Sequence, residues 1–263
     1  AVSGNGLYRS LDNAQSWQHL HFGVDMEADE QLTLVRSHAG RAGYVAATSR
    51  VVGETEASNI YYSDNCGRSW RLALRTAFSI HDLAWMQRNQ QPTLLLAASA
   101  GLYELAVHSG ELTQIVMAGM PADTGLWTIA VNIDTQGQPV NVAAAAKDDR
   151  GVWISYEAGR SKTFLPIGLE QEDVRTLIFQ DAGSHAVLWA GTRVVGNRPG
   201  RGCFRWDGPV EKWHQALQGW PGDAGSCLVL AAHGPQLLAA TYGGGVVWLD
   251  ARRSEQLTWR SPA

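Results

Sequence analysis

The chain has 263 residues, of which 45% are hydrophobic and 17% charged, and its formal net charge is −4. This composition is typical of globular rather than disordered proteins, and so small a net charge creates no general field for nucleic acid or an acidic membrane. No apolar run approaches the ~20 residues of a membrane span, and the first residues lack the pattern of a signal peptide.

Six copies of one short motif divide the chain. They read, in chain order, GLYRS, NIYYS, GLYEL, GVWIS, GCFRW and GVVWL. Their third residues are Tyr8, Tyr61, Tyr103, Trp153, Phe204 and Val247. Successive copies are 53, 42, 50, 51 and 43 residues apart, which is the spacing of one repeated structural unit.

Each copy is predicted to be the third of four short strands. A small-residue strand precedes most copies, as in YVAATS, LLLAASA and VNVAAAA, and another strand, such as LWTIAVNI, comes before it. A closing strand follows most copies, as in SWRLAL and LTWRS. Four strands with a period of about 40 to 50 residues are typical of a β-propeller blade. We therefore predict an all-β chain that forms a single domain over residues 1–263. The domain is predicted to be a β-propeller of about six four-stranded blades, and seven blades are the alternative.

The first blade is expected to be incomplete. Alignment of the first copy with the sixth places Ala1 opposite Ala239, inside the second strand of a blade. An open blade edge exposes unpaired backbone groups. We therefore expect the chain to be part of a longer protein whose upstream residues complete the first blade.

Three repeats carry a polar turn between their predicted third and fourth strands. In the first repeat it contains Ser10, Asp12, Ala14, Ser16 and Trp17. In the second it contains Ser63, Asn65, Gly67, Ser69 and Trp70. The fourth repeat has a weaker version with Ser155, Glu157, Gly159, Ser161 and a displaced Phe164. Ser and Asn can bond backbone amides across such a turn, glycine can supply a positive φ, and the tryptophan can pack against the neighbouring sheet.

These turns resemble the Asp-box (BNR repeat), whose pattern is Ser-x-Asp-x-Gly-x-Thr-Trp. The resemblance implies a propeller fold and a structural role for the box, so we interpret these residues as turns and not as an active site. The family includes sialidases and other glycosidases. It also includes non-enzymatic propellers similar to sortilin-type receptors and photosystem II assembly factors.

Two loops between second and third strands are much longer than the others and share the element Arg-Val-Val-Gly. The second repeat has ATSRVVGETEASN, which contains Arg50, and the fifth has AGTRVVGNRPGRG, which contains Arg193, Arg198 and Arg201 without an acid. Such an arginine group suits a carboxylate, a phosphate or an acidic peptide. A solvated loop with no partner is the alternative. Trp220 in QGWPGDAG is a further candidate binding residue.

Loops that join the blades are acidic instead. Their acids are Asp25, Glu27, Asp29 and Glu30 after the first blade and Glu170, Glu172 and Asp173 after the fourth. A surface of mixed sign suits a protein partner, possibly one with an acidic segment at the arginines, better than nucleic acid, which needs an uninterrupted basic stripe.

No catalytic or metal-binding motif is present. The Arg-Ile-Pro element of the family is absent, and so are a Gly-x-Ser-x-Gly elbow, a P-loop and a His-Glu-x-x-His run. Cys66, Cys203 and Cys227 form no metal or disulfide pattern, so we expect no cofactor, and free thiols favour a cytoplasmic location while an extracytoplasmic one stays open. We predict a non-enzymatic protein-interaction, scaffold or sensor module. A glycan-binding module or glycosidase is the alternative, and a structural spacer is the third hypothesis.

Overall fold

The computed structural model describes most of the chain. The described residues are 2–3, 6–20, 30–51, 53, 56–181, 186–208, 210–222, 225–251 and 257–261. Asp25, Glu27 and Asp29 lie outside them. Within these residues there is no helix, and therefore no helix with the length and apolarity needed to cross a membrane.

The described residues form 22 strands in six antiparallel sheets, and each sheet follows chain order. The first sheet contains β1 (Val2–Ser3), β2 (Gly6–Arg9) and β3 (Gln18–Leu20). The second contains β4 (Glu30–Ser37), β5 (Val45–Val51), β6 (Ser58–Ser63) and β7 (Arg71–Thr76). The third contains β8 (Ile80–Arg88), β9 (Gln91–Ala98), β10 (Gly101–Ala106) and β11 (Glu111–Ile115).

The remaining three sheets follow the same plan. The fourth contains β12 (Leu126–Ile133), β13 (Pro139–Ala146), β14 (Val152–Ser155) and β15 (Phe164–Pro166). The fifth contains β16 (Val174–Asp181), β17 (Ala186–Thr192), β18 (Cys203–Asp207) and β19 (Lys212–Ala216). The sixth contains β20 (Cys227–His233), β21 (Gln236–Thr241) and β22 (Gly245–Asp250). The all-β prediction is confirmed, since this succession of up-and-down sheets is that of β-propeller blades.

Among the described residues, fewer sheets have four strands than the repeats predict. Four sheets have four strands, whereas the first and the sixth have three among the described residues. The predicted closing strand LTWRS of the sixth repeat is reduced to a single bridge, in which Trp248 and Arg260 exchange backbone hydrogen bonds of 2.9 and 2.8 Å. A single bridge leaves that strand too short to be counted as a member of the sheet.

The chain divides into two compact units. The first comprises residues up to Ile115 together with Ile133–Pro139, and the second comprises Val116–Asn132 and the residues from Val140 onwards. In the first unit, Ala46 packs in a cluster with the third sheet, and its neighbour Ala47 packs in another cluster with Leu7. The small-residue part of β5 is therefore covered on both faces, which explains why Ala46 and Ala47 are adjacent apolar residues without alternation.

The second unit is built in the same way. Ala143, Ala144 and Ala145 of β13 are fully buried. Ala143 and Ala145 belong to a core cluster shared by the fourth and fifth sheets, which also contains Phe204. A separate cluster around Trp189 joins the fifth and sixth sheets.

Candidate functional site

The polar turns of the first and second repeats have the same hydrogen-bond geometry. Ser10 Oγ accepts from the backbone N–H groups of Asp12 at 3.3 Å and Ala14 at 2.8 Å. Ser63 Oγ accepts from the corresponding groups of Asn65 and Gly67 at the same two distances. Each serine thus satisfies two backbone donors inside its own turn.

The aspartate or asparagine of each turn completes this pattern. Asp12 Oδ1 accepts from the backbone N–H of Ser16 at 2.9 Å, and Asn65 Oδ1 accepts from that of Ser69 at 2.9 Å. Asp12 also accepts from the Ser16 hydroxyl at 2.5 Å. The hydrogen bonds from Ser16 and from Ser10 lower the pKa of Asp12 from 3.8 to about 2, because they stabilise the ionised carboxylate.

The turn of the fourth repeat keeps only part of the geometry. Ser155 Oγ accepts from the backbone N–H groups of Glu157 at 3.2 Å and Gly159 at 3.1 Å. Its other hydroxyl contact is with Thr163 Oγ1 at 2.6 Å, whereas Ser161 bonds the backbone of Val116 instead. The poor match of this repeat to the Asp-box pattern therefore corresponds to a real difference in side-chain partners.

The two box tryptophans differ in environment. Trp70 is 5% exposed and packs in the core cluster with Leu7 and Tyr61, and its Nε1–H donates to Gly67 O at 3.2 Å. Trp17 is 50% exposed. Packing of a box tryptophan against a neighbouring sheet is thus observed for Trp70 and not for Trp17.

Two of the predicted binding residues, Arg50 and Trp220, contact residues outside the predicted binding loops. Arg50 lies in the first unit, where its Nε and Nη2 donate to Gln31 Oε1 at 3.2 and 2.7 Å. Trp220 is half-buried and packs edge-on against Trp259, with ring centroids 5.1 Å apart. Trp220 therefore contributes to the core of the sixth sheet and is not a freely exposed aromatic.

The remaining predicted arginines lie on a surface of the second unit made by three loops. We call residues 147–151, 167–175 and 193–202 the loop surface. Backbone hydrogen bonds join its parts, from Arg193 N to Asp173 O at 2.9 Å and from Gln171 N to Asp149 O at 3.5 Å. A cleft of about 360 Å³ lies between the loops and is lined by Asp149, Gln171, Glu172, Arg198, Pro199 and Arg201.

Acids of the fourth repeat neutralise two of the three arginines. Arg198 Nη1 lies 2.8 Å from Asp149 Oδ1 and also donates to Gln171 O at 2.9 Å. Arg201 Nη1 lies 2.8 Å from Glu172 Oε1. The fifth-repeat loop has no acid of its own, but loops from the neighbouring repeat provide them.

Arg193 is the exception. Its side chain is exposed, and no ion pair to it is found among the residues that the structure describes. By sequence the loop surface has six cations and five acids, so its net charge is only +1. The surface is thus of mixed sign, and Arg193 and Arg150 are exposed cations in it that no described acid engages.

An aromatic and cationic cluster that was not predicted from the sequence lies at the edge of this surface. The guanidinium carbon of Arg175 lies 3.3 Å from the centroid of the Trp127 ring, and Lys147 Nζ lies 4.0 Å from it. Arg175 Nε donates to Asp173 Oδ2 at 2.7 Å. A cation close to a tryptophan ring is attracted by the ring quadrupole. The sequence does contain a pattern that relates these two residues. Trp127 and Arg175 are the second residues of LWT and VRT, which begin the first strands of successive repeats.

Backbone conformation also distinguishes these loops. Four of their non-glycine residues have positive φ, namely Asp148 (57°), Asp149 (60°), Leu169 (61°) and Gln171 (72°). Such conformations cost energy for side chains other than glycine and are concentrated at functional sites. The surrounding hydrogen bonds and ion pairs hold the loops in this arrangement.

A second polar cluster, in the first unit, has residue types used by glycosidases but is closed to substrate. Glu30 accepts hydrogen bonds from Ser49 Oγ, from Asn59 Nδ2 at 2.7 Å and from Tyr61 OH at 2.8 Å. The two residues that could act as acid or nucleophile, Glu30 and Tyr61, are 1% and 2% exposed. These hydrogen bonds satisfy the buried carboxylate of Glu30 inside the second sheet. Within the described part of the chain, no group of three or more His, Cys, Asp or Glu could hold a metal ion.

No family model and no curated protein sequence matches the chain. Solved structures do match in fold. YCF48 bound to D1 peptide is 15% identical with a TM-score of 0.63, and the match covers 98% of this chain and 75% of that one. Sqt1 of Saccharomyces cerevisiae is 12% identical with a TM-score of 0.64, covering 96% of this chain and 66% of that one.

Glycoside hydrolases match equally well in fold. The GH74 xyloglucanase from Xanthomonas campestris is 14% identical with a TM-score of 0.61, and the match covers 86% of this chain. This chain spans only 37% of the length of that enzyme. Identities this low show the fold alone. The chain is therefore a β-propeller, similar in fold to YCF48 and Sqt1 and also to GH74 enzymes.

Proposed function

We propose that the chain is a non-enzymatic protein-interaction module, a scaffold or sensor part of a larger protein, and that the loop surface binds an extended segment of a partner protein. The observation that carries the proposal is the arrangement of Arg198 and Arg201, which are held by acids of other loops beside the unengaged cation of Arg193. A surface whose loops are already fixed loses little entropy when a ligand binds.

The partner segment is expected to contain acidic side chains that alternate with polar or basic ones. Arg193 can pair with an acid of the partner, since it has no ion-pair partner in the described structure. Arg198 and Arg201 retain N–H donors beyond those used by Asp149 and Glu172. A uniformly acidic segment is less suitable, because it would also meet the five acids of the surface.

The burial of Glu30 and Tyr61 supports this proposal over the glycan alternative, whereas the fold comparison is compatible with both. YCF48, which is similar in fold, has been solved bound to D1 peptide. A glycosidase requires two accessible carboxyl groups at defined separation. The most suitable carboxylate and tyrosine of the first unit, Glu30 and Tyr61, are buried. Glycan binding or glycoside hydrolysis therefore remains the second candidate, supported by the fold of the GH74 enzymes alone.

A selection followed by salt-dependent binding tests the proposal. A display library of random linear peptides is selected on the protein, and the affinity of enriched peptides is measured by fluorescence anisotropy at low and at physiological ionic strength. We expect acidic residues to be enriched. Replacing Arg193, Arg198 and Arg201 by Ala should weaken binding by about tenfold at low salt and less at physiological salt, because exposed charges are screened over about 8–10 Å.

The control variant carries the same change of charge at another place. Arg41, Arg68 and Arg160 are exposed arginines of other turns and are replaced together by Ala. Equal affinities of the two triple variants for the selected peptides would show that the loop surface is not the binding site. Arg50→Ala, tested separately, shows whether the long loop of the first unit takes part.

A further inference from the structure

A cavity of about 410 Å³ lies within the second unit, between the fourth and fifth sheets. We call it the inter-sheet slot, and its side-chain walls are Asn141, Ile154, Tyr156, Phe179, Leu188 and Trp206. It is distinct from the loop surface, because Asn141 lies near the start of β13 whereas Lys147 follows the end of that strand. Its volume falls in the range of small-molecule sites.

Strand register defines which side chains face the slot. Ile154, Leu188 and Trp206 belong to the core cluster shared by the fourth and fifth sheets. Phe179 pairs with Leu188 across β16 and β17, so their side chains share a face. Val142 pairs with Ser155, which places Asn141 and Tyr156 side by side where that pairing ends. The slot therefore lies between the fourth sheet, which contributes Tyr156, and the fifth sheet, which contributes Phe179 and Trp206.

The two charged residues that border the slot direct their side chains elsewhere. Arg205 pairs with Trp189, a member of the cluster between the fifth and sixth sheets. Alternate residues of a strand point to opposite faces, so Arg205 and Asp207 face that side while Trp206 faces the slot. The described side chains that face the slot are accordingly uncharged.

One buried hydrogen-bond donor at this site has no acceptor among the described residues. Trp206 is 8% exposed, and its Nε1–H has no acceptor among the residues that the structure describes. Gly208 also lines the slot, and a Cβ at this position would lie 3.7 Å from Trp206 Nε1. Because Gly208 has no side chain, no side-chain atom of this residue lies against the indole N–H. A buried donor without an acceptor is costly, and a ligand acceptor would remove that cost.

We propose that the inter-sheet slot binds a small, uncharged, planar molecule with a hydrogen-bond acceptor. Its ring lies among Tyr156, Phe179 and Trp206, where aromatic side chains provide apolar contact area. Its acceptor, such as a carbonyl oxygen, bonds Trp206 Nε1–H beside Gly208. The side-chain amide of Asn141 offers one donor and one acceptor to a second polar group of the same ligand. This site does not depend on peptide binding by the loop surface.

Benzamide is a suitable probe, because it combines a planar ring with a carbonyl acceptor and carries no charge. It is titrated into 15N-labelled protein while the indole N–H resonances of the 11 tryptophans are followed. Trp206→Phe identifies the resonance of Trp206 by its loss. We expect a saturable shift of this resonance. Benzoate should bind about tenfold more weakly because its charge would be buried, and toluene should bind more weakly because it lacks an acceptor.

A single methyl group tests the position of the acceptor. Gly208 is exposed and has no positive φ, so Gly208→Ala is tolerated and places a methyl group 3.7 Å from Trp206 Nε1. The affinity for benzamide should fall by about fivefold or more. Gly222→Ala is the matched control, since Gly222 is also exposed and a Cβ there meets no atom within 4 Å.

Two results would overturn the proposal. One is the absence of a saturable shift of the Trp206 resonance up to about 10 mM benzamide, a weak limit for a ligand of this size. The other is an equal affinity of Gly208→Ala and Gly222→Ala. Tyr156→Ala provides a second variant, because the ring of Tyr156 is 52% exposed and its removal opens the slot without leaving a hole in the core. This variant should also weaken binding, and unchanged binding would contradict the assigned position of the ring.

Discussion

Asp12 and Asn65 occupy equivalent positions in the turns of two repeats, and each accepts the backbone N–H of the serine four residues later at 2.9 Å. They differ in one respect that matters for stability. Asp12 is ionisable and its pKa is lowered to about 2, whereas Asn65 is neutral at every pH. The two turns therefore have the same hydrogen-bond geometry. Only in the first turn does the residue at this position change its charge with pH.

Asp12→Asn should reduce the acid sensitivity of folding. A carboxyl group whose pKa is lower in the folded state contributes stability above its unfolded pKa of about 3.8, and this contribution is lost as the pH falls towards 2. Urea unfolding at pH 5, 4 and 3 should show a smaller loss of stability for Asp12→Asn than for the unchanged protein. Asn65→Asp should show a larger one. If both variants follow the same pH dependence as the unchanged protein, the hydrogen bonds of Asp12 do not stabilise its ionised form.

Asn65→Ala tests the turn itself at neutral pH. The change removes the acceptor of Ser69 N and the donor to Ser69 Oγ, which lie 2.9 and 2.7 Å away. We expect the free energy of unfolding to fall by about 0.5–2 kcal/mol, a typical effect of losing a side-chain cap. Peptide binding should be retained. Loss of binding at an unchanged melting temperature would instead indicate that the turn is part of a site.

Ala14→Gly should stabilise the protein. Ala14 has a φ of 66°, and the glycines in the same place of the other turns, Gly67 and Gly159, have φ of 76° and 68°. A left-handed conformation costs an alanine about 1–2 kcal/mol, part of which glycine loses again through its greater freedom in the unfolded chain. A gain of about 0.5 kcal/mol in urea unfolding is expected.

Gly159→Ala is the reverse change and should be harmful. A Cβ at Gly159 would lie 2.7 Å from Val142 Cγ2, and the residue would also be strained by its φ of 68°. A loss of about 1–3 kcal/mol in the free energy of unfolding is expected from the crowding. A neutral effect of this variant would mean that the turn can move away from Val142 without cost.

Only one of the three thiols should react in the native protein. Cys66 is exposed, whereas Cys203 and Cys227 are buried and free. Burial, together with a hydrogen bond to Cys227, raises the pKa of the Cys203 thiol, which disfavours the reactive thiolate. Ellman's reagent should therefore titrate one thiol in native buffer and three in denaturant. Rapid labelling of three thiols without denaturant would show that the core between the fifth and sixth sheets opens easily.

Arg198→Ala should separate stability from binding. Arg198 and Asp149 form an ion pair of 2.8 Å, but their side chains are 50% and 48% exposed. Exposed pairs contribute about 0–1 kcal/mol to stability, so the melting temperature should change little. Affinity for selected peptides should fall at low salt. A large loss of stability would instead show that this pair contributes more to the stability of the fold than exposed ion pairs usually do.

Several features of the candidate site could not be predicted because they depend on distant segments. Asp149 and Glu172 belong to another repeat than Arg198 and Arg201, so no local pattern indicates that they neutralise these arginines. The packing of Trp220 on Trp259 likewise joins residues far apart in the chain. Trp17 and Trp70 end turns of the same pattern, yet only Trp70 is buried. Their difference arises from what surrounds each turn.

The sequence by itself determined the all-β repeat and the geometry of the turns. Both follow from local rules, since strand runs recur at a fixed period and a serine reaches the backbone N–H groups two and four residues later wherever the turn occurs. Only the tertiary structure decided the charge balance of the loop surface, the contact of Arg175 with Trp127, and the open space beside Trp206. These depend on which loop ends and sheet faces are brought together, because charge pairing and burial act through space and not along the chain.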